Sequence, residues 1–397
     1  MKYLSLFSGI GGFELGIKQA HESNNEHAHI SKESEQEERS QGRLRTADQH
    51  EVQLHNRDGT TPLCIGYSEI DKYATQIYQK HFPFKECEQC KSSRQSGKPE
   101  QVEGVRYIPN IARNEPDEQR AKNNCKCEHK NYGDITKINP ETLPDFDFLC
   151  GGFPCQAFSI AGKRLGFNDT RGTLFFDIAR VIREKQPRFF LLENVKGLLS
   201  HDNGRTFKTI ISTLTELGYD LQWQVLNSKN FGVPQNRERV FIIGHLRGTS
   251  RPQVFPIRKT DQSSYKTKEF QQQVANTLRT NYSNGHSNET YIALTERRTE
   301  EAKRLRRLGI VKDTRNLKKL SPREDGLANT VTTGDVKNAS LTDGFKIRRL
   351  TPTECERLQG FPDGWTEGVS DTQRYKQLGN AVTVNVVEEI IKRLSFN

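Results

Sequence analysis

Nowhere in the 397 residues does an apolar run approach the ~18 that a membrane-spanning helix needs. Apolar content is low altogether. Only 33% of the chain is hydrophobic and its mean hydropathy is −0.80, so part of the length must be polar insertion rather than core. A secretory leader is also missing from the expected organisation. Lys2, Leu4, Leu6, Phe7 and Ile10 have its outline, but Glu14 interrupts the run and no small-residue cleavage site follows. A chain this long needs no disulfide staples, and its eight cysteines are unevenly placed, so a soluble protein of a reducing compartment is expected. The dinucleotide fingerprint GxGxxG fails as well: after Gly9 and Gly11 it would need glycine at 14, where Glu14 stands, and a nicotinamide enzyme is disfavoured. What the chain has in excess is positive charge. A net +10 and a pI of about 9.1 imply a polyanionic partner.

Tyr3 to Phe7 reads as a strand, and Ser8-Gly9-Ile10-Gly11-Gly12 as a tight turn into a helix beginning near Phe13. Such a turn brings backbone N–H groups to a ligand at a helix N-terminus and suits a nucleotide-like cofactor without a pyrophosphate; an ordinary βα turn fits the same residues. Residues 21–61 are polar and read as a surface insertion without chemistry. A second strand, Leu63 to Tyr67, ends in Glu69, where Rossmann-like units commonly bind ribose hydroxyls, and a helix over Asp71 to His81 follows. A second insertion, 84–132, carries Cys87-x-x-Cys90 and Cys125-x-Cys127 with His129 just beyond. Two close pairs have the spacing of a structural zinc site, and four thiolates are favoured over a set in which His129 replaces one.

Phe146 to Cys150 is a short apolar strand running into Gly151-Gly152-Phe153-Pro154-Cys155-Gln156. A thiol is thereby held at the carboxyl end of a strand, where open α/β sheets bind ligands; in isolation the pair also fits an inert buried cysteine. Residues 159–173 are glycine-rich and basic and suit a lid touching phosphates. A helix from Leu174 stops before Pro187, and Phe189 to Leu192 forms a buried strand leading into Glu193-Asn194-Val195. A carboxyl group at the end of an apolar strand resists ionisation, which makes Glu193 a candidate acid, or else a buried group with a satisfied hydrogen bond. Arg237 and Arg239, at i and i+2 ahead of the strand Val240 to Ile243, suit a phosphate or a base carbonyl, or are simply solvated. From Gly248 to Phe345 the composition turns polar and basic with little periodicity, as in a second, smaller domain that contacts the polyanion. Gln377 to Val382 reads as the opening of a helix whose apolar face, Val384, Val387, Ile391 and Leu394, needs the sheet of the first domain to cover it.

In this order the segments resemble the cytosine-5 DNA methyltransferases of bacterial restriction-modification systems. Phe7 to Gly12 is similar to that family's cofactor loop, Gly152 to Gln156 to its catalytic loop and Glu193-Asn194-Val195 to its acid motif. Gln235 to Arg239 matches its Gln-x-Arg-x-Arg motif, and Arg349 to Phe361 and Gln377 to Val382 resemble its two closing motifs. The resemblance implies an α/β fold: a Rossmann-like S-adenosylmethionine-dependent methyltransferase domain with a mixed, mostly parallel sheet, plus a smaller irregular target-recognition domain. The implied units are a catalytic domain over 1–247, a recognition domain over 248–345, a closing segment over 346–370 and a return over 371–397.

It also implies roles. The Cys155 thiolate adds to carbon 6 of a cytosine flipped out of the duplex, Glu193 serves ring N3, Arg237 a phosphate and Arg239 the ring carbonyl. S-adenosylmethionine contacts fall on Phe7, Gly9, Ile10, Gly11 and Gly12, on Glu69 and Ile70 at the ribose, and on Asp134 and Ile135 at the adenine. Pro154, Leu174, Asn380 and Val382 close that pocket. Gln156, Ser159, Lys163, Arg164 and Gln235 fall to double-stranded DNA. The implied protein is a monomer of the bacterial cytoplasm, with a restriction endonuclease as a functional partner.

Overall fold

A computed structural model of the chain describes residues 1–25, 61–85, 128–154, 174–258, 292–298, 318–322, 340–342 and 347–394. Within them seven strands form one sheet in the order β3-β2-β1-β4-β5-β7-β6. These are β1 (Lys2–Leu6), β2 (Leu63–Ser68), β3 (Lys130–Asn131), β4 (Phe148–Gly152), β5 (Phe189–Val195), β6 (Tyr219–Asn227) and β7 (Glu238–Leu246). Pairing is parallel from β3 through β5, and β7 runs antiparallel to both β5 and β6. The mixed, mostly parallel sheet is as expected.

Phe189, Phe190, Leu191 and Leu192 are all fully buried, because successive side chains leave a strand on opposite faces and both faces here are covered. Phe189 and Leu191 share a core with Phe13 and Ile17 of α1 (residues 12–25) and with Val387 and Ile390 of α7 (Val384–Arg393). On the opposite face Phe190 and Leu192 join Ile178 and Ile182 of α3 (Leu174–Lys185) and Ile210 and Leu214 of α4 (Arg205–Glu216). A third core lies under the turn that follows β1. There Ile10 and Leu15 meet Ala74 and Ile77 of α2 (Lys72–His81), Leu358 of α5 (Pro352–Leu358) and Leu378 of α6 (Asp371–Asn380). The start signals are chemical. The Asp71 carboxylate accepts from the N–H groups of Tyr73 and Ala74, and α5 opens with a Thr351/Glu354 capping box followed by Pro352.

Three expectations change. Gln377 to Asn380 closes α6 rather than opening a helix. Ala381 is extended (φ −62°, ψ 147°), and α7 begins only at Val384. Its apolar face does return to the sheet. The boundary at 247/248 moves too, because Val254, Phe255 and Ile257 are buried in the main core. The Gln222 side-chain oxygen accepts from the N–H groups of Val254 and Phe255 at 3.0 Å each, and that of Gln224 from Ile257 at 2.8 Å. Beyond them, the region expected to be irregular contributes β8 (Ile292–Arg298), β9 (Lys318–Pro322) and β10 (Ser340–Thr342) to an antiparallel sheet of order β11-β10-β8-β9. Its edge strand β11 (Ile347–Arg349) comes from the segment expected to be the closing one. Among the described residues no helix is long and apolar enough to cross a membrane.

The second insertion leaves and returns through a two-residue neck. Lys85 and Glu128 exchange both backbone hydrogen bonds, at 3.2 and 2.9 Å, and their side chains pair at 3.1 Å. The main sheet resumes at Lys130, three residues earlier than the sequence suggested. A closed pair of this kind accepts a two-residue turn. Replacing residues 86–127 by Asn-Gly should therefore leave the thermal midpoint within about 3 °C of the parent, the effect of less than ~1 kcal/mol in a domain of this size. Calorimetry checks this, and a collapse of the transition would show that the insertion is part of the core.

Candidate active site

The sheet order turns back at β1, which has β2 on one side and β4 on the other; a crevice at the carboxyl ends of the strands is where such sheets bind ligands. Three loops meet there. The turn after β1 holds Phe7 at φ 54° and Gly9 at φ 57°, and a Cβ on Gly9 would meet nothing within 4 Å. Its N–H donates to Glu69 Oε2 at 2.9 Å, while Glu69 Oε1 accepts from the N–H groups of Ile70 and Asp71 at 2.9 and 2.8 Å. One carboxylate thus ties the turn after β1 to the turn after β2. Ile70 stands 76% exposed beside it, an apolar side chain with no core to fill. Asp134, on the third loop, accepts from the hydroxyl and N–H of Thr136, which hold its carboxyl below the usual range. Not every residue expected at the cofactor is free to touch one. The side chains of Ile10 and Ile135 are core, 1% and 2% exposed, and the Ile10 carbonyl accepts from the Trp365 indole. Gly11 and Gly12 lie so close to Phe82 and to Val382 that a Cβ would approach them to 2.5 and 2.9 Å. They are glycines because helices pack there. Leu174, half-buried, opens α3, and Pro154 and Asn380 are exposed.

The strand register sets Gly152 of β4 beside Glu193 of β5. A Cβ on Gly152 would sit 2.9 Å from Glu193 Oε2, so glycine is what lets the carboxyl group lie against this loop. Glu193 Oε1 pairs with Arg239 Nε at 3.0 Å, and both side chains are largely withdrawn from solvent. Burial raises the Glu193 pKa, and Arg239 and then Arg237 pull it back. The sequence expectation of a carboxyl group reluctant to ionise holds. Asn194 Nδ2 donates to the Phe153 carbonyl at 2.9 Å and so fixes the strand that carries the acid to the loop that leads to Cys155. Asn194 is visible in the sequence only as the middle of a motif; its signal is a polar side chain immediately after a buried strand.

Arg237 and Gln235 do different work from that expected. The Arg237 guanidinium is 2% exposed and its Nη2 donates to the carbonyls of Gly379 and Ala381 at 3.1 and 2.8 Å. Gln235, fully buried, donates to the Leu358 carbonyl at 2.7 Å. Both hold the C-terminal segment to the sheet, which corrects their reading as phosphate and DNA contacts. Cys155, Gln156, Ser159, Lys163 and Arg164 lie outside the described residues, as do Cys87, Cys90, Cys125 and Cys127. Among the described residues no group of three or more His, Cys, Asp or Glu side chains could hold a metal. His129 is half-buried, with Nδ1 3.1 Å from the Tyr78 hydroxyl, and its pKa falls to about 4 through partial desolvation. The described cysteines, Cys64, Cys150 and Cys355, are buried, and burial pushes their thiols up, away from reactivity.

The two arginines should separate by experiment. Arg237→Met strands two buried carbonyls and should cost about 2–4 kcal/mol. Arg239→Met removes the cation that pulls the Glu193 pKa down. A raised carboxyl pKa gives stability that is complete below the ordinary value of 4.5 and lost as pH climbs through the folded value. Without Arg239 that loss deepens, so its deficit in denaturant unfolding should widen as pH rises above 4.5, and more steeply than that of Arg237→Met, whose pull on Glu193 is the weaker of the two. Parallel curves would uncouple Arg239 from Glu193.

Comparison with known proteins agrees with this geometry. The model of the C-5 cytosine-specific DNA methylases matches residues 101–395. Type II methyltransferase M1.ScrFI of Lactococcus lactis subsp. cremoris is 42% identical over 271 residues, 66% of each chain. M.BanI of Aneurinibacillus aneurinilyticus is 30% identical across 100% of this chain and 96% of its own. Among solved structures, the S. pombe Dnmt2 methyltransferase superposes with a TM-score of 0.55 over 99% of this chain and 97% of that one, at 18% identity, a likeness of fold. The crevice, its buried acid and these matches place the chain in the C-5 cytosine-specific DNA methylase family.

Proposed function

We propose that the protein transfers a methyl group to carbon 5 of a cytosine in a specific double-stranded DNA site, with Cys155 as nucleophile and Glu193 as acid. The observation that carries this reading is the buried Glu193–Arg239 pair, seated against Gly152 three residues before Cys155. In cytosine, ring N3 adjoins the C2 carbonyl. A carboxyl group and a guanidinium 3.0 Å apart match that adjacent pair, the acid on N3 and Arg239 on the carbonyl. The Cys155 sulfur bonds to carbon 6, the electrons of the 5,6 double bond pass into the ring, and Glu193 protonates N3. Carbon 5 becomes nucleophilic and takes the methyl group. A base then removes the proton from carbon 5, its electrons re-form the 5,6 double bond as the C6–S bond breaks to release the thiolate, and N3 returns its proton to Glu193. Reaching carbon 6 requires the base to leave the helix.

S-adenosylmethionine would supply an electrophilic methyl group. The residues fit it: Gly9 and Phe7 offer a turn open to a ligand, Glu69 and Asp134 offer carboxylates to hydroxyl and amino groups, and exposed Ile70 offers an apolar face. Pro154, Leu174 and Asn380 complete the pocket, with buried Val382 packed behind Gly12. Gln156, Ser159, Lys163 and Arg164 are assigned to DNA, with residues 259–345 reading the base edges. We further propose a protective role beside a restriction endonuclease; the similarity to Type II methyltransferases supports it.

Cys155→Ser should abolish methyl transfer while S-adenosylmethionine still binds. Methylated positions mapped on plasmid DNA, with RNA as a parallel substrate, should fall on cytosine C5 of DNA at one sequence. Methylation of adenine or of an exocyclic nitrogen would end the proposal.

We also assign a structural zinc to Cys87, Cys90, Cys125 and Cys127, on their spacing. Elemental analysis should find about one zinc per chain, lost in Cys87→Ser. Protein recovered folded and free of metal would exclude it.

A further inference from the structure

Trp365 lies in the C-terminal segment, 355 residues from Ile10, yet its indole N–H donates to the Ile10 carbonyl at 2.9 Å. Ile10 sits in the middle of the turn that carries Gly9. The other side of the indole is equally committed. The His81 ring stacks on it at 3.6 Å and 5°, and His81 Nε2 lies 2.7 Å from the Trp365 carbonyl. His81 ends α2, the helix that begins directly after Glu69 and Ile70. One side chain therefore touches both walls of the crevice from beneath, the glycine turn by its edge and the acidic turn's helix by its face.

The segment around Trp365 is built to be stiff. Glu356, fully buried, accepts from the N–H groups of Gly364 and Thr366 at 2.8 Å each and from Arg374 Nη2 at 3.1 Å. Further bonds fasten the same segment along α2. Gln76 donates to the Gly368 carbonyl at 3.1 Å, Lys80 to the Glu367 carbonyl at 3.0 Å, and Lys376 to Asp71 at 2.6 Å. Asp71 donates its own N–H to Glu69. A brace of this form reinforces the two backbone bonds that already join these loops, from the Gly9 N–H to Glu69 and from the Ser8 N–H to the Ser68 carbonyl.

We infer that Trp365 is a positioning residue for the cofactor: through the Ile10 carbonyl it holds the Gly9 turn at the separation from Glu69 that S-adenosylmethionine requires, without touching the cofactor or the base. The inference rests on the assignment of that crevice to S-adenosylmethionine made above. It states that the C-terminal segment sets cofactor affinity and leaves the chemical step alone.

Trp365→Phe keeps an aromatic ring on His81 and deletes the N–H. Loss of that hydrogen bond should raise the dissociation constant and the KM for S-adenosylmethionine between about two- and tenfold. The kcat at saturating cofactor and the affinity for DNA should stay within about twofold, because the Glu193 site is untouched. Unchanged cofactor affinity would overturn the inference. So would a fall in kcat and DNA affinity together with the thermal midpoint, which marks a general loss of structure. If Trp365→Phe does not fold, His81→Phe removes the bond to the Trp365 carbonyl while keeping a stack, and the same KM-against-kcat split decides. Wild-type protein that binds no S-adenosylmethionine would instead refute the assignment of the crevice, a result distinct from equal binding by wild type and variant.

Discussion

Taking a carboxyl group out of water costs several kcal/mol if it stays ionised, and the neighbourhood of Glu193 is arranged around that cost. Four apolar residues lead up to it, so the strand that presents it is dry on both faces. Arg239 offsets part of the penalty at 3.0 Å, and the absent side chain of Gly152 leaves room for the second oxygen. The result is a carboxyl group whose pKa stands above the ordinary value, raised by burial and pulled partly back by Arg239. Asn194 then ties this strand to Phe153, on the loop that leads towards Cys155.

A second arrangement keeps the sheet closed at its ligand-binding end. The C-terminal segment crosses back under the first turn, and buried Arg237 and Gln235 secure it by donating to its backbone carbonyls. Residues of the QxRxR stretch are thereby divided between two tasks. Arg239 pairs with Glu193, and its neighbours hold the C-terminal segment to the sheet.

Much of this was legible in the sequence, and what was not has identifiable causes. Phe189 to Leu192 announces a strand buried on both faces, and Glu193 at its end announces a perturbed carboxyl group. Spacing of i and i+2 puts Arg237 and Arg239 on one side of an extended chain, but it cannot say that backbone carbonyls from residues 379 and 381 wait for one of them. Ile10, Gly11 and Gly12 belong to a cofactor-like turn, and only the third core shows them spent on contacts with Trp365, Phe82 and Val382. The boundary at 247 misled because residues 251–258 are anchored by Gln222 and Gln224, polar side chains whose partners are backbone groups far along the chain. Long-range bonds to backbone leave no mark in composition or periodicity.

The direction of a single strand settles which residues can meet. Val195, at the exit of β5, faces Arg239 near the entry of β7, because the two strands run in opposite senses. Had β7 followed its neighbours in the parallel sense, its first residues would lie at the far edge of the sheet, roughly 20 Å away at about 3.3 Å per residue. The guanidinium would then face the floor of the molecule, and the carboxyl group would stand alone. Reversal of one ribbon thus serves as the wiring by which a residue late in the domain is delivered to the mouth of the crevice.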